Sequence, residues 1–460
     1  MTVSVLILAA GHGSRMHSST PKVLHHLAGK PLVQYSYNTA TTVMDGSPDN
    51  STDPKRKPVV VIGHSADEVR RELGEKVDFA VQEPQLGTGH AVQSAEALLK
   101  GKADQVLVIS ADMPLLTAQT LQKMVDLQRE TGSAMVMLTI HSENARGFGR
   151  VLRATDGAPL QIIEELHATP EQLRITELNA GVYCFQDAWL WDAIKKIKLS
   201  PRGEYYLTDL LQIAVSQGDL VKVYTTDDTA EAMGINNRIH LAEAEAVLRK
   251  RINTAHMLAG VTITDPASTY IEPDVKIGQD TIIEPNTHLH GNTVIGAGCV
   301  IGPNTIIHDT QIGDECTILS SVLEGAVLED HVEMGPFGHL RKGAHLASHV
   351  HMGNFGEVKN SYLGPGTKMG HFSYIGDAEI GLDVNIGAGT ITCNFDGVHK
   401  HKTVLADGVF IGSDTMLVAP ITMGEGARSG AGAVVTKDVP PHTTVVGVPA
   451  HPLQKKESGE

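Results

Sequence analysis

The stretch IEPDVKIGQDTIIEPNTHLHGNTVIGAGCVIGPNTII, residues 271–307, carries an aliphatic side chain at every sixth position. These positions are Ile271, Ile277, Ile283, Leu289, Ile295, Ile301 and Ile307. The spacing resumes at Leu328, Met334, Leu340, Leu346, Met352 and Val358, at Leu363, Met369 and Ile375, at Ile380 and Ile386, and at Ile411, Leu417 and Met423. One inward-pointing residue in six suits a triangular coil, which buries its core only by stacking on further coils. The pattern therefore predicts a solenoid from residue 262 onward.

The composition of the whole chain points to more than one domain. A chain of 460 residues is too long for one ordinary core, and 46 glycines with only 4% aromatic residues indicate many turns. The net charge of −16 argues against a nucleic-acid partner, which would require a basic surface. The four cysteines are far apart and no apolar run is long enough to cross a bilayer. We therefore expect a cytoplasmic protein with no disulfide framework, no zinc site and no membrane insertion.

The first half of the chain has a different pattern, in which short apolar runs alternate with helical periodicity. The runs SVLILAAG (4–11), PVVVIGH (58–64), QVLVIS (105–110) and AMVMLTI (134–140) predict buried strands, and residues 66–74 and 89–101 predict helices between them. Continuously apolar strands that alternate with helices predict a parallel sheet covered on both faces. Ligands of such sheets bind beyond the carboxyl ends of the strands.

Two further segments divide the chain. The run NRIHLAEAEAVLRKRINTAHMLAG (237–260) has the apolar period of a helix and ends at a glycine, so it predicts a linker helix. We therefore expect domains at 1–235 and 262–460, joined through 236–261. The polar segment 45–58, with its Lys55-Arg56-Lys57 run, predicts a mobile surface insertion.

A glycine-rich turn follows the first predicted strand, in LILAAGHGSRMHSSTPKVL (6–24). It lacks the third glycine or alanine of a dinucleotide fingerprint and the Gly-Lys-Ser/Thr ending of a P-loop. Glycines let backbone N–H groups approach phosphate oxygens, and Arg15 and Lys22 can neutralise a triphosphate. The residues alone indicate a phosphate site without telling which compound it holds.

The spacing LAAGHGSRM…TPKVL resembles the signature of nucleotide-sugar pyrophosphorylases. Further motifs that resemble this family follow in order: QLGTGHA (85–91), ADMPLL (111–116), GFGR (147–150), LNAGVY (178–183), GEYYLTD (203–209) and GINNR (234–238). The repeat resembles the left-handed parallel β-helix of hexapeptide-repeat proteins, which are commonly trimeric acyltransferases. The resemblance thus implies an α/β Rossmann-like nucleotidyltransferase domain followed by a left-handed β-helix.

The second half extends the resemblance to almost the full chain. The segments LRKGA (340–344), HMGNFGEVKNSYLG (351–364), GHFSYIGDAEIG (370–381) and NIGAGTITCNFDGVHKHKT (385–403) are similar to the bifunctional N-acetylglucosamine-1-phosphate uridylyltransferase/glucosamine-1-phosphate N-acetyltransferase family. That family implies acetylation of glucosamine 1-phosphate by acetyl-CoA, followed by transfer of UMP from UTP to N-acetylglucosamine 1-phosphate. It also implies Mg²⁺ as cofactor and a homotrimer as the assembly.

The resemblance implies a role for individual residues of the first site. Arg15 and Lys22 would be catalytic and Asp112 and Asn236 would bind the metal. The residues implied in UTP binding are Leu8, Gly11, Gly13, Lys22, Gln82, Gly87 and Thr88, and those implied in binding N-acetylglucosamine phosphate are Gly149, Glu164, Asn179 and Thr208. The sequence departs from the family at SAD (110–112), where an aromatic-Gly-Asp is usual, and at NAG (179–181), where Asn-Thr-Gly is commoner.

The resemblance likewise assigns the second site. His371 would be the general base, a task that suits histidine near neutral pH. The residues implied in binding glucosamine phosphate are Arg341, Lys359, Tyr374 and Asn385, those implied in binding acetyl-CoA are Asn394, Ser413 and Ala431, and Lys400 would serve a partner subunit. The departures here are Phe395 in place of tyrosine and Gly447 where related proteins can carry arginine.

Two alternatives stay open at this point. The nucleotidyltransferase could use a different sugar or base while the helix acetylates another substrate. The β-helix could instead be a structural module for trimerisation, although such a spacer needs none of His371, Arg341 and Lys359.

Overall fold

The computed structural model describes residues 2–11, 13–46, 56–63 and 66–453. Most of the predicted insertion at 45–58, namely residues 47–55, lies outside the described residues. The chain forms two compact units, Met1–Leu248 and Arg249–Glu460. The division falls inside the helix Arg238–Leu258, which occupies most of the segment predicted as a linker helix. The predicted domain limits of 235 and 262 themselves stay a prediction.

The first unit is an α/β sandwich around one mixed sheet. The strands of the unit are β1 (Val3–Leu8), β2 (His26–Leu27), β3 (Lys30–Pro31), β4 (Val59–Ile62), β5 (Asp78–Val81), β6 (Gln105–Ser110), β7 (Met135–His141), β8 (Arg150–Arg153), β9 (Pro159–Ile163), β10 (Glu177–Gln186) and β11 (Val221–Thr225). β2 and β3 form a small sheet of their own, and the other nine belong to the mixed sheet. The α-helices are α1 (Leu32–Asp45), α2 (Ala66–Leu73), α3 (Thr88–Gln93), α4 (Glu96–Leu99), α5 (Ala118–Thr131), α6 (Asp187–Ala193), α7 (Asp209–Gln217) and α8 (Arg238–Leu258). Short 3₁₀ turns cover Ser14–Met16, Lys22–Leu24, Gly74–Lys76, Glu165–His167, Gln172–Arg174, Ile194–Lys196 and Thr229–Ala232.

The apolar strands are buried on both faces of this sheet. In β1, Val5 and Ile7 pack into the core on one side, whereas Leu6 packs into the core on the other. In β6, Leu107 and Val108 alternate in the same way. This two-sided burial explains why the strands read as continuous apolar runs, as the sequence predicted.

The sheet differs from the expected parallel one at a single inserted strand. Its order is β11-β7-β10-β6-β1-β4-β5, and β10 runs antiparallel to both β6 and β7. β8 and β9 add a further antiparallel pair beside β10. The four strands predicted from the sequence, β1, β4, β6 and β7, all point the same way, as predicted. β10 was not predicted as a strand, because sequence analysis treated its motif LNAGVY only as a binding element.

The second unit is a left-handed parallel β-helix with three faces. The first face contains Thr262–Ile263, Ile282–Ile283, Val300–Ile301, Thr317–Ile318, Glu333–Met334, His351–Met352, Lys368–Met369, Asn385–Ile386, Phe410–Ile411, Arg428–Ser429, Thr444–Val446 and His451–Pro452. The second contains Tyr270–Ile271, His288–His290, Ile306–His308, Val322–Glu324, His339–Leu340, Gly356–Lys359, Ser373–Gly376, Ile391–Cys393, Met416–Val418 and Val434–Val435. The third contains Lys276–Ile277, Val294–Ile295, Gln311–Ile312, Val327–Leu328, Ala344–Leu346, Ser361–Leu363, Ala378–Ile380, Thr403–Leu405 and Ile421–Met423.

The six-residue repeat forms the core of this unit. The aliphatic residues named from the sequence are buried, apart from the partly buried Ile277, and pair in register, as in Ile283 with Ile301. The repeat is interrupted after Ile307, where Ile312, Ile318 and Leu323 continue the core. Three of the four intervals between Ile307 and Leu328 are five residues long, so a strict period of six did not find these core positions.

Candidate active sites

A cavity of about 590 Å³ opens at the carboxyl ends of β1 and β6 in the first unit. This is where a ligand of such a sheet is expected. Its lining residues are Leu8, Ala9, Ala10, Gly11, Arg15, Lys22, Val23, Gln82, Gln85, Gly87, Thr88, Ala91, Ser110, Asp112, Glu164, Glu204 and Tyr206. Most of the predicted UTP residues and both predicted catalytic cations therefore share one cavity, although they come from distant parts of the chain.

Lys22 is the centre of the polar contacts in this cavity. Its ammonium forms an ion pair with Asp112 and donates a hydrogen bond to Asn236 Oδ1 at 3.2 Å. The Arg15 guanidinium donates to the same amide oxygen at 3.1 Å. Gly13 lets the turn approach Lys22, since its φ is +63° and an added Cβ would lie 2.6 Å from Lys22 Cβ.

The donor set around Lys22 fits a divalent cation. A carboxylate oxygen of Asp112 and the amide oxygen of Asn236 already converge on one positive group, the Lys22 ammonium. Mg²⁺ prefers such oxygen ligands and usually completes its shell with water and substrate phosphates. Within the described residues no group of three or more His, Cys, Asp or Glu side chains could hold a metal, so substrate would have to supply further ligands.

Three of the predicted UTP-binding residues, Gln82, Gly87 and Thr88, form the next wall of the cavity. Gln82 is buried, and its amide donates to the Gly87 carbonyl at 2.9 Å. Gly87 has a φ of +93°, and an added Cβ would lie 2.8 Å from the Tyr205 carbonyl oxygen, so no other residue fits there without strain. The Thr88 hydroxyl accepts from the Leu207 amide at 3.0 Å. These contacts fix the positions of the three residues relative to one another and to Leu207.

Only one of the predicted sugar-binding residues lines the cavity. Glu164 does so, and Thr208 donates a hydrogen bond to its carboxylate at 3.1 Å from just behind it. Burial raises the pKa of Glu164, which the Thr208 hydrogen bond partly opposes. Asn179 is buried and donates to the Tyr183 hydroxyl at 2.7 Å. Gly149 packs on Ile162, whose Cγ2 would lie 2.6 Å from an added Cβ.

Several lining residues were missed by sequence analysis. Gln85, Ser110, Glu204 and Tyr206 all face the cavity. Ser110 donates to Asp112 Oδ1 at 2.7 Å, and Gln85 donates to the Ala10 carbonyl. All four residues lie inside the motifs QLGTGHA, SAD and GEYYLTD, and this position was the available signal.

On the β-helix, the predicted glucosamine phosphate residues lie on successive coils. The Arg341 amide donates to the Val358 carbonyl at 2.9 Å, which sets Arg341 beside Lys359, and Tyr374 pairs with Glu357 one coil further on. Arg341 also forms an ion pair with Glu357 at 2.9 Å. The nearby ammonium of Lys400 and the guanidinium of Arg341 lower the pKa of Lys359. Asn385 lies on the first face instead, between Lys368 and Phe410.

Gly376 leaves room for the side chains of two predicted site residues, Tyr374 and Asn394. An added Cβ at Gly376 would lie 2.3 Å from the Tyr374 hydroxyl and 2.8 Å from the Asn394 amide nitrogen, so both side chains cover this glycine. Asn394 is buried and donates to Asp377 Oδ2 at 2.5 Å. Sequence analysis missed Gly376 and Asp377, although both belong to the quoted motif GHFSYIGD.

His371, Ser413 and Ala431 occupy equivalent positions at the turn between the first and second faces. The Gly389 amide donates to Phe372 at 2.7 Å, Asp414 to Ala388 at 2.6 Å and Gly432 to Ser413 at 2.8 Å, which stacks these turns coil upon coil. The resulting column of exposed or half-buried residues is His371, Ala388, Ser413 and Ala431. The predicted base His371 and the predicted acetyl-CoA residues Ser413 and Ala431 thus lie at the same turn of different coils, whereas Asn394 follows a strand of the second face.

Lys400 lies in a loop at the far side of the second face. Asp396 organises this loop by accepting from the Val398 and His399 amides at 2.8 and 2.6 Å and from the His401 ring at 2.7 Å. These hydrogen bonds, the His399 amide first, lower the pKa of Asp396. A cavity of about 520 Å³ under the loop is lined by Lys400 and Asp377 but not by His371 or Arg341. Phe395, the departure noted above, is 60% exposed.

Comparison with known proteins covers both units. Residues 5–197 match the MobA-like NTP transferase domain, and residues 274–309 match the bacterial transferase hexapeptide (six repeats) family. The bifunctional protein GlmU of Shouchella clausii is 43% identical over 95% of this chain and 94% of its own length. The GlmU proteins of Exiguobacterium sibiricum and Heliobacterium modesticaldum are 44% and 46% identical, each over 95% of this chain and over 95% and 93% of their own lengths. The chain belongs to the GlmU family.

Membership of the GlmU family confirms the predicted resemblance. It also confirms the predicted function, that of a bifunctional enzyme of UDP-N-acetylglucosamine synthesis. It also fits the fold, a Rossmann-like nucleotidyltransferase unit followed by a left-handed β-helix. Among the helices that the structure describes, none combines the length and the apolar character needed to cross a membrane.

Proposed function

We propose that this GlmU-family chain acetylates glucosamine 1-phosphate with acetyl-CoA and then joins the product to UMP from UTP, with the residues named above in their implied roles. The observation that carries the proposal is the oxygen set of Asp112 and Asn236 around the Lys22 ammonium, at the wall of the 590 Å³ cavity. A positive charge is already held there, where a triphosphate would need one.

The uridylyl step is a displacement at phosphorus. An oxygen of the sugar phosphate attacks the α-phosphorus of UTP, a new P–O bond forms, and the bond to the β-phosphate breaks to release pyrophosphate. The nucleophile is already an anion, so positioning and charge neutralisation supply the catalysis. Arg15 and Lys22 donate to the phosphates, and Gly11 and Gly13 leave room for them. Magnesium, when bound by Asp112 and Asn236, supplies further positive charge for the phosphates.

Uracil and the sugar are held at two other walls. Gln82, Gly87 and Thr88 bind the base, and Leu8 packs next to it. Glu164 accepts hydrogen bonds from the sugar, with Thr208 behind it, while Gly149 and Asn179 shape the adjoining backbone. Because Glu164 is the one predicted sugar residue on the cavity wall, it is expected to contribute most to choosing the sugar.

The acetyl step is an acyl transfer to an amine. The sugar amine attacks the thioester carbonyl, the C–N bond forms and the C–S bond breaks, and coenzyme A leaves as its thiol. His371 accepts the amine proton and passes it to the departing sulfur. Arg341 and Lys359 bind the sugar phosphate, and Tyr374 and Asn385 orient the ring. Acetyl-CoA lies along the column of small residues that includes Ser413 and Ala431, with Asn394 close to the thioester.

The proposed assembly is a homotrimer in the cytoplasm. The 520 Å³ cavity under the Lys400 loop is lined by Lys400 but not by His371, which supports a site completed by the Lys400 loop of a neighbouring subunit. Hexapeptide β-helices are consistent with trimers. The cysteines Cys184, Cys299, Cys316 and Cys393 are free thiols, as suits a reducing compartment.

One coupled assay tests the proposal. The full chain is incubated with glucosamine 1-phosphate, acetyl-CoA, UTP and Mg²⁺, and free thiol, pyrophosphate and UDP-N-acetylglucosamine are followed together. We expect thiol release to precede pyrophosphate release, and N-acetylglucosamine 1-phosphate to bypass the need for acetyl-CoA. Pyrophosphate release without thiol release would refute the acetyltransferase assignment. Full acetyl transfer by a protein that sediments as a monomer would refute the shared site.

A further inference from the structure

Ser110 is the last residue of β6, and its backbone is fixed at the edge of the nucleotide cavity. It pairs with Leu8 of β1, and the Ala111 amide donates to the Leu8 carbonyl at 3.0 Å. From the other side, the Ser36 hydroxyl of α1 donates to the Ser110 carbonyl at 3.3 Å. The Ser110 side chain lines the cavity. The backbone that carries this hydroxyl is therefore held by hydrogen bonds on both sides.

Asp112 uses its two oxygens differently. Oδ1 accepts from the Ser110 hydroxyl at 2.7 Å, a partner in the same turn. Oδ2 accepts from Lys22, a partner from a separate segment of the chain. Under the proposed function, Lys22 turns to the phosphates when UTP binds, so that its contact with Oδ2 is exchanged. The serine contact on Oδ1 can persist through that exchange.

We infer that Ser110 is a positioning residue for the metal-binding carboxylate of Asp112. Its hydroxyl fixes the rotation of the carboxylate so that Oδ2 keeps facing the place between Lys22 and Asn236. This inference rests on the proposed function, because it assumes that Asp112 binds the metal. A hydrogen bond behind a ligating carboxylate typically changes metal affinity or activity about 10–100-fold when it is lost.

The chemistry of the serine side chain explains why this chain can use it here. The hydroxyl lies one bond from Cβ and reaches a carboxylate two residues ahead, a common local contact of serine in turns. An aromatic side chain, which the resembling family usually carries at this position, offers no hydroxyl at that short range. In this chain, therefore, the support of Asp112 comes from Ser110 itself.

The test measures metal binding apart from turnover. Mn²⁺ is titrated into the full chain saturated with UDP-N-acetylglucosamine, and bound Mn²⁺ is followed by electron paramagnetic resonance for the wild type, Ser110→Ala, Ser110→Thr, Asp112→Ala and Ser4→Ala. Ser4 is a buried serine of β1 that pairs with Val106 near the opposite end of β6. The Mg²⁺ concentration for half-maximal uridylyl transfer is measured alongside, with acetyl transfer as the check on folding.

We expect Ser110→Ala to weaken Mn²⁺ binding about 10–100-fold and to raise the required Mg²⁺ by the same factor. At saturating Mg²⁺ its KM for the sugar phosphate should match that of the wild type. Ser110→Thr, which keeps the hydroxyl, should restore binding, and Ser4→Ala should leave it unchanged. If Asp112→Ala loses Mn²⁺ while Ser110→Ala binds it normally, the inference is wrong and the proposed function stands. If Asp112→Ala also binds Mn²⁺ normally, the metal assignment fails and the inference fails with it.

Discussion

The nucleotide cavity of the first unit and the acetyl site of the β-helix gather their residues in opposite ways. In the first unit, Lys22, Asp112 and Asn236 are far apart in sequence, yet the Lys22 ammonium contacts both of the others, and Lys22 and Asp112 line one cavity. On the β-helix, His371, Ser413 and Ala431 lie on separate coils at the turn between the first and second faces, and none of them lines the 520 Å³ cavity under the Lys400 loop.

The difference follows from the two architectures. Loops that leave the same edge of a parallel sheet converge, so one chain can enclose a substrate. A solenoid repeats each position along its axis, and its functional residues therefore form lines on an outer surface. A line can guide an elongated molecule such as a coenzyme, but a second surface has to close it. We therefore expect the first site to be complete in one chain and the second to depend on assembly.

The largest effect is expected when the general base of the acetyl site is removed. His371→Ala should lower acetyl transfer about 10²–10⁴-fold, because a positioned general base typically contributes that much. Uridylyl transfer from N-acetylglucosamine 1-phosphate should stay at the wild-type rate. His351, another exposed histidine of the β-helix, paired with Glu333 at 3.0 Å, provides the matched control as His351→Ala. Near-normal acetyl transfer by His371→Ala across neutral pH would show that His371 is not the general base.

The reciprocal variant tests the first site. Asp112→Ala should lower uridylyl transfer on the order of 10²–10³-fold, because it removes a ligand of the metal whose positive charge stabilises the charge that develops on the phosphates. Acetyl transfer should be unchanged, since Asp112 belongs to the other unit. Both rates are measured on the same preparation with separate substrates. A loss of both activities in a folded protein would contradict the independence of the sites.

A smaller effect is expected from the loop that we assign to a neighbouring subunit. Lys400→Ala should reduce acetyl transfer about 10–100-fold, the range for losing one charged hydrogen bond to substrate. Lys402 lines the same 520 Å³ cavity but forms an ion pair with Glu379, so Lys402→Ala is the control and should change little. Mixing Lys400→Ala with His371→Ala protein should restore part of the acetyl transfer if the site is shared. Absence of any restoration in mixed trimers would place Lys400 in its own subunit's site.

The smallest effect concerns stability and pH. Burial raises the pKa of Glu164 above its ordinary 4.5, so the folded state binds this proton more tightly than the unfolded state does. That contribution to stability is complete below the ordinary pKa and is lost as pH rises through the raised value. Glu164→Gln should therefore gain thermal stability relative to the wild type on going from acid to neutral pH. A difference between Glu164→Gln and the wild type that does not change with pH would refute the burial argument.

The sequence predicted the β-helix better than it predicted the sheet. Each hexad aliphatic carries its own positional signal, so Leu289 or Met352 could be placed in the core without any distant partner. β10 gave no such signal, because a strand's direction depends on which neighbours it finds. Its antiparallel insertion between β6 and β7 is decided by contacts across the sheet.

The candidate site shows the same limit at the level of single residues. Arg15, Lys22 and Asp112 were found through motifs, yet nothing in the motifs says that Lys22 and Asp112 form an ion pair. Ser110 and Gln85 were missed as lining residues, because a lone polar residue in a turn most often serves its own backbone. The positions of Asn179 and Thr208 behind the cavity wall also depend on packing that no local pattern encodes.

The β-helix closes with a strand that reverses direction. His451–Pro452 pairs antiparallel with Thr444–Val446, placing Pro452 opposite Val445 on the first face. Proline has no backbone N–H, so the outer rim of this hairpin lacks a donor at that position. A stack of coils with a bare rim is a template on which another chain could continue the stack. The reversed strand acts as a terminator: it makes the particle finite and keeps the solenoid from growing into a filament along this face.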